Sequence, residues 1–446
     1  MTYATTAATA AARAEAVPAA HPPADRAVLR KVLGASFIGN FVEWFDYASY
    51  GFFATVIARA FFPEIAPHTA LLATFGVFAI SFIVRPIGGI VWGAIGDRIG
   101  RRTALSWSIL IMSGATTVIA ILPSYAQIGI LAPVLLLVVR MVQGFSASGE
   151  YAGATAFIAE YAPTDRRGLY TSIVPASTAA GLLAGSLLSA GLFALLDDAE
   201  MASWGWRLPF LLAAPLGLIG LYIRLKLEDT PKFREMEAQH EETRTPTAEL
   251  FREHRGRMAI AFGATCLNAV GFYLILSYMP TYLMTEMGLG NAQSFLATSI
   301  SLAAYIGLIF LMGTISDRIG RRTALLAASV LFIVLTVPLF SMLDGASFFG
   351  IVLIQIAFGA LLTVNDGTLP CFLSELFPTR VRYSGFAFSF NAANALFGGT
   401  APLVATWLIG VTGSKLAPAW YLVAAAVIAL TVMLFARETA GEPLED

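Results

Sequence analysis

Long apolar segments, separated by short polar loops, follow one another along almost the whole chain. A helix needs about 20 mostly apolar residues to cross the hydrocarbon core of a bilayer. The 446 residues are 57% hydrophobic and 13% charged, whereas soluble proteins average about 45–50% and about 25%. The sequence therefore excludes an ordinary soluble domain and predicts an all-α membrane protein. Its twelve predicted transmembrane helices lie approximately at 33–58, 70–95, 103–122, 128–160, 170–195, 207–226, 257–284, 294–315, 323–343, 348–377, 383–409 and 418–436.

The basic residues are concentrated in alternate connecting segments. If the N-terminus is cytoplasmic, most of the 28 Lys and Arg residues fall on the cytoplasmic side, eight of them in the central segment 224–257. The opposite loops carry mainly acidic residues, such as the cluster at 197–200. Because positive charge is retained on the cytoplasmic side, we expect a multi-pass protein of the inner or plasma membrane with both termini in the cytoplasm.

Two internal repeats define the architecture. The segment DRIGRRTAL occurs at 97–105 and again at 317–325, and the pattern E-x-x-P-T-x-x-R occurs at 160–167 and 375–382. The offsets are 220 and 215 residues, so the repeated unit contains six crossings. An even number of crossings keeps both copies in the same orientation. The sequence thus predicts two parallel six-helix halves related by an axis along the membrane normal.

This repeat gives the predicted domain boundaries. The chain is divided into a disordered cytoplasmic tail at 1–30, an N-terminal half at 31–227, a cytoplasmic inter-half loop at 228–256, a C-terminal half at 257–437 and a short cytoplasmic tail at 438–446.

The loop at 93–102 resembles the signature between helices 2 and 3 of the major facilitator superfamily. This resemblance covers the whole membrane region and implies the major facilitator fold. It also implies that charged groups of the loop bridge helix ends, hold the cytoplasmic side shut and separate when the carrier opens inward. The predicted conformational gate comprises Gly93, Asp97, Arg98, Gly100 and Arg101, with Asp317, Arg318 and Arg321 from the second copy.

Finer motifs resemble the metabolite:proton symporter branch of that superfamily, which includes carriers for proline and betaine, α-ketoglutarate, citrate and shikimate. The matching runs are GNFVEWFDY at 39–47, RPIGG at 85–89, QGFS at 143–146 and WGWRLPF at 204–210. The run ASGE at 147–150 departs from the glycine pair expected before the glutamate.

Ionisable residues inside membrane segments are costly unless paired or hydrated, which makes them functional candidates. The first helix carries Asn40, Glu43, Asp46 and Tyr50 on one broad face. Two neighbouring carboxylates repel each other when both are ionised, which suits reversible proton uptake. We predict Glu43 and Asp46 as proton-coupling residues and Asn40 and Tyr50 as substrate contacts. The alternative is that each carboxylate is held in an ion pair with an arginine.

Arginines in the second and fourth helices are the candidate partners. Arg85 is a predicted clamp for a substrate carboxylate, because a guanidinium can hold a carboxylate through two parallel hydrogen bonds; alternatively it neutralises Glu43 or Asp46. Arg140, Gln143 and Glu150 form a polar stripe on the fourth helix. Gln143 is a predicted substrate contact. Arg140 can pair with Glu150 or with a carboxylate of the first helix, and the resemblance ties Arg140 to proton coupling. We predict both Arg140 and Glu150 as proton-coupling residues, the alternative being a purely structural salt bridge.

The second half has fewer charges at the equivalent positions. At the repeat offsets, arginines and a glutamate of the first half correspond to neutral hydrogen-bonding residues, so we expect proton chemistry in the first half and substrate specificity in the second. Asp366 is its main intramembrane charge, with a role in contacting a substrate ammonium or in helix packing. The predicted substrate-binding residues of this half are Tyr273, Tyr305, Gln355, Asn365 and Asn391.

Several function classes are excluded or disfavoured. No phosphate-binding loop is present, the four histidines lie outside the predicted spans, and no catalytic constellation emerges. Basic and acidic residues nearly balance, which gives no field for nucleic acid. We expect a monomeric, non-enzymatic transporter in the lipid bilayer. It imports a small polar organic solute, either a zwitterion such as proline or betaine or an organic acid such as citrate or α-ketoglutarate. Protons are the coupling ion, and neither a cofactor nor a metal is expected. The alternatives are a proton-coupled efflux antiporter and a membrane solute sensor that does not transport.

Overall fold

A computed structural model describes residues 26–226 and 246–445, and all regular secondary structure within these ranges is helical. Twelve long helices can be followed through them. Their bounds are α1 Arg26–Phe52, α2 Pro67–Ile99, α3 Arg102–Ile121, α4 Leu131–Tyr161, α5 Thr164–Leu195, α6 Gly205–Leu225, α7 Arg255–Thr285, α8 Asn291–Ile319, α9 Arg321–Ser341, α10 Phe348–Leu376, α11 Thr379–Thr412 and α12 Ala417–Leu434.

Eleven of these described helices, α2 to α12, are long and apolar enough to cross a membrane. The exception is α1, which carries Asn40, Glu43 and Asp46 in its middle turns. These three side chains are nevertheless buried within the bundle. The helix that is not apolar enough to be counted as a span therefore brings two carboxylates and an amide into the protein interior.

Three of the helices are interrupted next to a charged residue. The second segment of α2 begins at Arg85, the second segment of α4 begins at Glu150, and the first segment of α10 ends at Asp366. Pro86 and Pro370 explain two of these breaks, because proline removes a backbone donor and its ring collides with the carbonyl four residues earlier. The interruptions place charged groups where the backbone departs from regular helix.

The two halves meet along two pairs of helices, α2 with α11 and α5 with α8. Small residues permit close packing inside the bundle, as expected for membrane helices. A Cβ atom on Gly181 of α5 would lie 2.6 Å from the backbone oxygen of Phe41 in α1. Helix α1 therefore packs tightly on α5, and α5 in turn contacts α8 of the other half.

The observed helices match the predicted spans to within several residues. Part of the segment predicted as an inter-half loop is helical, at Pro246–Glu253. Helix α1 begins at Arg26, inside the range assigned to the N-terminal tail. The rest of the predicted tail and most of the predicted loop, at 1–25 and 227–245, lie outside the described residues. Helix α1 begins and α12 ends on one face of the bundle, called here the terminal face.

Candidate functional site

A buried ion pair connects α1 to α2. The guanidinium of Arg85 donates to the carboxylate of Glu43 and also to the hydroxyl of Tyr47, at 2.9 Å. Arg85 is 2% exposed and Glu43 1%. The second carboxylate oxygen of Glu43 and Nε of Arg85 have no hydrogen-bond partner among the described residues. The pair is therefore removed from solvent and retains unused hydrogen-bonding capacity.

A second ion pair connects α1 to α4. Arg140 donates to Asp46 across 3.3 Å and to the amide oxygen of Gln143. The amide nitrogen of Gln143 in turn donates to the hydroxyl of Thr116 on α3, at 2.9 Å. The Arg140 guanidinium also lies 4.1 Å from the ring centroid of Tyr50. Of the partners considered for Arg140 from the sequence, the structure selects the carboxylate of α1.

Glu150 pairs with an arginine that the sequence analysis did not consider as its partner. Arg224, near the end of α6, donates to Glu150 and to the backbone oxygen of Leu105, at 2.7 Å. We counted Arg224 among the basic residues of the central segment 224–257, and the structure buries its side chain, which is only 3% exposed. The arginine follows an apolar run, so hydropathy alone gave no signal of its burial.

Aromatic rings enclose the Arg85 and Glu43 pair on the side of the second half. The Arg85 guanidinium lies 4.5 Å from the ring centroid of Phe82. The ring of Phe82 meets Tyr273 of α7 edge to face, with centroids 5.5 Å apart, and Tyr273 lies 5.8 Å from Trp44. The hydroxyl of Tyr273 and the indole nitrogen of Trp44 have no partner among the described residues. Buried polar groups are normally satisfied, so these atoms mark a place where a polar ligand can bind.

Two other residues that we predicted as substrate contacts, Asn40 and Asn391, make hydrogen bonds between helices in this conformation. Asn40 donates to the backbone oxygen of Val174 and to the hydroxyls of Ser177 and Thr178 on α5. Asn391 of α11 donates to the backbone oxygen of Ser148 in α4, at 2.6 Å. Both amides thus hold helices together, Asn40 within the first half and Asn391 across the two halves.

In the second half, the polar residues meet around Asp366. Tyr305 of α8 donates to this carboxylate at 2.7 Å, and Asn268 of α7 donates to it at 2.8 Å. Gln355 accepts a hydrogen bond from a threonine of α8, and Asn365 lies buried at the end of the first segment of α10. The predicted residues of this half therefore do not form one cluster with Arg85, with the exception of Tyr273.

On the terminal face, the first repeated motif of each half binds the opposite half. Asp97 accepts hydrogen bonds from the backbone nitrogen and the hydroxyl of Ser384 in α11, at 3.2 and 2.7 Å. Asp317 accepts from the backbone nitrogens of Gly168 and Leu169 in α5, at 2.8 and 3.0 Å. The two aspartates thus make pseudo-symmetric contacts between the halves.

The other predicted gate residues surround these contacts. Gly100 and Gly320 have φ angles of 98° and 97°, a left-handed conformation that favours glycine. Arg321 donates to Asp317 at 2.7 Å. Arg98 and Arg318 are exposed. Gly93 packs directly against Ser384, and the side chain of Arg101 lies outside the described part of the structure.

The second repeated motif forms crossed ion pairs. Glu160 of the first half accepts from Arg382 of the second at 2.8 Å, and Glu375 of the second half accepts from Arg167 of the first at 2.7 Å. All four side chains are nearly inaccessible to solvent. Each copy of the motif therefore supplies the partner that the other copy needs.

The C-terminal segment adds contacts to these crossed ion pairs, which the sequence did not predict. The backbone oxygen of Glu445 accepts from Arg382 at 3.1 Å, and that of Glu442 accepts from Arg167 at 3.3 Å. The hydroxyl of Thr439 donates to Glu375 at 2.7 Å. The carboxylate of Glu438 accepts from the first backbone nitrogens of α9, where the helix dipole favours negative charge.

A family model described as the Major Facilitator Superfamily matches this chain at residues 36–388 and 261–445. The chain belongs to the major facilitator superfamily. It is similar to the glycine betaine/proline/ectoine/pipecolic acid transporter OusA of Dickeya dadantii, with 39% identity over 94% of this chain and 86% of that protein. It is also 36% identical to the proline/betaine transporter of Escherichia coli K12, with the same coverage.

Solved structures show the same fold. The proton:xylose symporter XylE, of Escherichia coli, superposes with a TM-score of 0.78 at 18% identity, over 94% of this chain and 98% of that one. The predicted superfamily and the predicted two-half, twelve-helix fold are thus confirmed. In this superfamily member, most of the sequence-predicted residues fall into three groups: the central pairs of the first half, the neutral network around Asp366, and the predicted gate residues on the terminal face. Asn40 and Asn391 lie apart from these groups and hold helices together.

Proposed function

We propose that this chain is a secondary active transporter that imports a zwitterionic organic solute of the proline or betaine type together with protons. The observation that carries the proposal is the buried charged site of α1, α2 and α4 described above. It holds two arginine–carboxylate pairs away from solvent, and it faces Tyr273 of the other half. A site between the two halves is what alternating access requires.

Substrate recognition centres on Arg85. Its guanidinium has a donor without a partner among the described residues, and a planar guanidinium suits a carboxylate. The names of the similar bacterial transporters support a solute that carries both a carboxylate and a quaternary or secondary ammonium. Substrate binding at Arg85 then competes with Glu43, which is released from the pair and becomes free to take up a proton.

Proton coupling in the first half would involve Glu43 and Asp46, with Arg140 and Glu150 as the associated charged residues. A membrane potential of about 100 mV supplies about 2.3 kcal/mol per charge, and one pH unit supplies about 1.4 kcal/mol. With one proton and a net neutral solute, the two together suffice for accumulation of several hundredfold.

The terminal face is proposed to lie in the cytoplasm. Its loops carry the repeated basic motifs, in keeping with the retention of positive charge on that side. The crossed ion pairs then form the cytoplasmic gate, which must separate to release the solute into the cell. We propose that one monomer in the bilayer carries out the whole cycle.

The experiment is uptake by purified protein in liposomes. We expect labelled proline or glycine betaine to accumulate when the interior is alkaline and negative, and a protonophore to abolish this accumulation. The D46N variant should retain exchange of internal for external substrate but lose accumulation. The matched control is D344N, which removes an exposed carboxylate of a loop.

The outcomes separate the alternatives. Accumulation that is insensitive to the protonophore contradicts proton coupling. Tight binding in detergent without flux in liposomes contradicts transport and favours a sensor. Accumulation of citrate or α-ketoglutarate in place of the zwitterions contradicts the proposed substrate class.

A further inference from the structure

Asp366 differs from the other carboxylates in the membrane core of the described residues. It is fully buried, and its carboxylate takes part in no ion pair within the described ranges. The other three each bind an arginine, in the pairs Glu43 with Arg85, Asp46 with Arg140 and Glu150 with Arg224.

The groups around Asp366 are polar but neutral. Tyr305 of α8 and Asn268 of α7 donate to its two oxygens at 2.7 and 2.8 Å. Tyr151 of α4, in the other half, is close enough to interact with it electrostatically. These are the groups that face the carboxylate from the packed helices, and the titratable ones among them are the two tyrosines.

This environment suits a carboxyl group that gains and loses a proton. A buried ionised carboxylate without a countercharge is strongly disfavoured, and a bound proton removes that charge. An asparagine amide and a tyrosine hydroxyl can each donate or accept, so Asn268 and Tyr305 can bind both forms of Asp366. An arginine has donors only, so protonation of Glu43 beside Arg85 leaves a guanidinium donor without an acceptor.

The position of Asp366 links it to the movement of the halves. Helix α10 is interrupted directly after this residue, at Gly367. The backbone oxygen of Gly367 accepts from Ser172 of α5, in the first half, at 3.3 Å. Tyr151 of the first half stacks on Phe390 of α11, with ring centroids 4.5 Å apart. A change in the charge of Asp366 therefore takes place close to contacts between α4 and α5 of the first half and α10 and α11 of the second.

We propose that Asp366 is a proton-binding residue of the transport cycle, located in the second half and separate from the carboxylates of the first. A proton from water on the opposite face forms an O–H bond with the carboxylate, and the same bond breaks to release the proton to water on the terminal face. The proposal rests on the proposed function for its place in a cycle, and on the geometry around Asp366 for the site itself.

Infrared difference spectroscopy of the purified protein tests the site without requiring transport. We expect a carbonyl band of a protonated carboxyl group that responds to pH, disappears in D366N and persists in the control D344N. In Y305F the band should remain but shift in frequency, because the hydrogen bond from Tyr305 is lost. A full set of carboxyl bands in D366N would overturn the proposal. If D366N does not fold, an unshifted spectrum in Y305F would overturn it.

Transport assays test the role in the cycle. Under a gradient of one pH unit, D366N should lower the steady-state accumulation about tenfold, the factor that one coupled proton supplies, while substrate exchange persists. D366E, which keeps the carboxyl group, should restore accumulation. Normal proton-driven accumulation by D366N contradicts the proposal. If the wild-type protein shows no flux at all, the proposed function fails, and the infrared bands still decide whether Asp366 binds a proton.

Discussion

The two halves of this transporter are alike at the terminal face and different in the membrane core. At the terminal face, Asp97 and Asp317 make matching contacts, and the crossed pairs of Glu160 and Glu375 are equivalent. In the core, the first half has arginine–carboxylate pairs, whereas the second has a carboxylate with neutral partners. The shared parts hold the halves together and the divergent parts carry the proposed chemistry.

This difference has a physical reason. A contact between two halves related by an axis along the membrane normal is made twice, so the same residues serve on both sides of the axis. The solute of the proposed function is itself asymmetric, with a carboxylate at one end and an ammonium at the other. Binding such a solute on the axis would require different groups on the two sides, in keeping with the neutral Tyr305 at the position of the second half that corresponds to Arg85.

The largest expected effect comes from breaking the charged pair of the first half. R85Q leaves Glu43 buried without its countercharge, and removal of one partner of a buried pair costs about 3–5 kcal/mol. We expect R85Q to abolish uptake and to lower the midpoint of thermal unfolding in detergent. The double variant E43Q/R85Q should recover most of the stability but not the uptake. Uptake by R85Q at the wild-type rate would contradict the proposed role of Arg85.

The next largest effect is expected when either of the two crossed ion pairs of the terminal face is broken. Loss of either arginine should favour separation of the halves at the terminal face. We expect R382Q to have the larger effect, because Arg382 also binds the backbone oxygens of Ser374 and Glu445 at 2.9 and 3.1 Å. The two additional hydrogen bonds of Arg167, to Glu442 and Thr164, are longer, at 3.3 and 3.5 Å.

Pulsed electron paramagnetic resonance measures this separation. Spin labels at the exposed residues Lys226, at the end of α6, and Thr323, at the start of α9, report the distance between the halves, after the buried Cys266 and Cys371 are replaced. We expect the distance to lengthen in R167Q and more so in R382Q. A distance that is unchanged in both variants would show that the crossed pairs do not hold the gate shut.

The sequence predicted the contacts of the terminal face better than those of the membrane core, because the residues of the terminal face lie in repeated motifs. Identical segments at 97–105 and 317–325 identified the two halves and their parallel orientation, and they supplied the residues that we predict to form the gate. The crossing of partners, in which Glu160 binds Arg382 and not its neighbour Arg167, depends on how α4 approaches α11 and how α5 approaches α10. No spacing along the chain contains that information.

Partners in the core were the hardest part to predict. Glu43 and Asp46 were recognised as candidates, but the sequence left open which arginine each one binds. The pairing of Arg224 with Glu150 was not predicted, because a hydropathy pattern does not reveal whether a charged residue at a helix end turns inward. Asp366 was recognised as a charge, but its neutral environment depends on the side chains of three other helices.

Equivalent glycines give a sharper comparison of the two halves. A Cβ atom on Gly93 would lie 2.8 Å from Cα of Ser384, and one on Gly313 would lie 2.7 Å from the backbone oxygen of Gly168. We expect G93A and G313A each to weaken the closed gate by about 1–3 kcal/mol, the usual cost of overpacking. The spin-label distance should increase in both. G34A is the control, because nothing lies within 4 Å of the added atom. A change in one glycine variant alone would show that the gate contacts are unequal.

The smallest effect concerns the C-terminal segment, which has no counterpart in the first half. Hydrogen bonding from Arg257 lowers the pKa of Glu445 to about 2, so the carboxylate stays ionised throughout pH 5–8. Because the pKa of Glu445 is lower in the folded protein, its ionised carboxylate stabilises the folded state at pH values above the ordinary pKa of 4.5. This stabilisation is lost as the pH falls towards 2. The side chain is 42% exposed, and exposed pairs contribute about 0–1 kcal/mol. We expect E445Q to change the unfolding midpoint only slightly and by the same amount at pH 6 and pH 8.

Deletion of residues 438–446 also removes the backbone oxygens that accept from Arg167 and Arg382, so it should open the gate more than E445Q does. Equal spin-label distances in the two variants would show that the gate does not depend on the backbone oxygens of this segment.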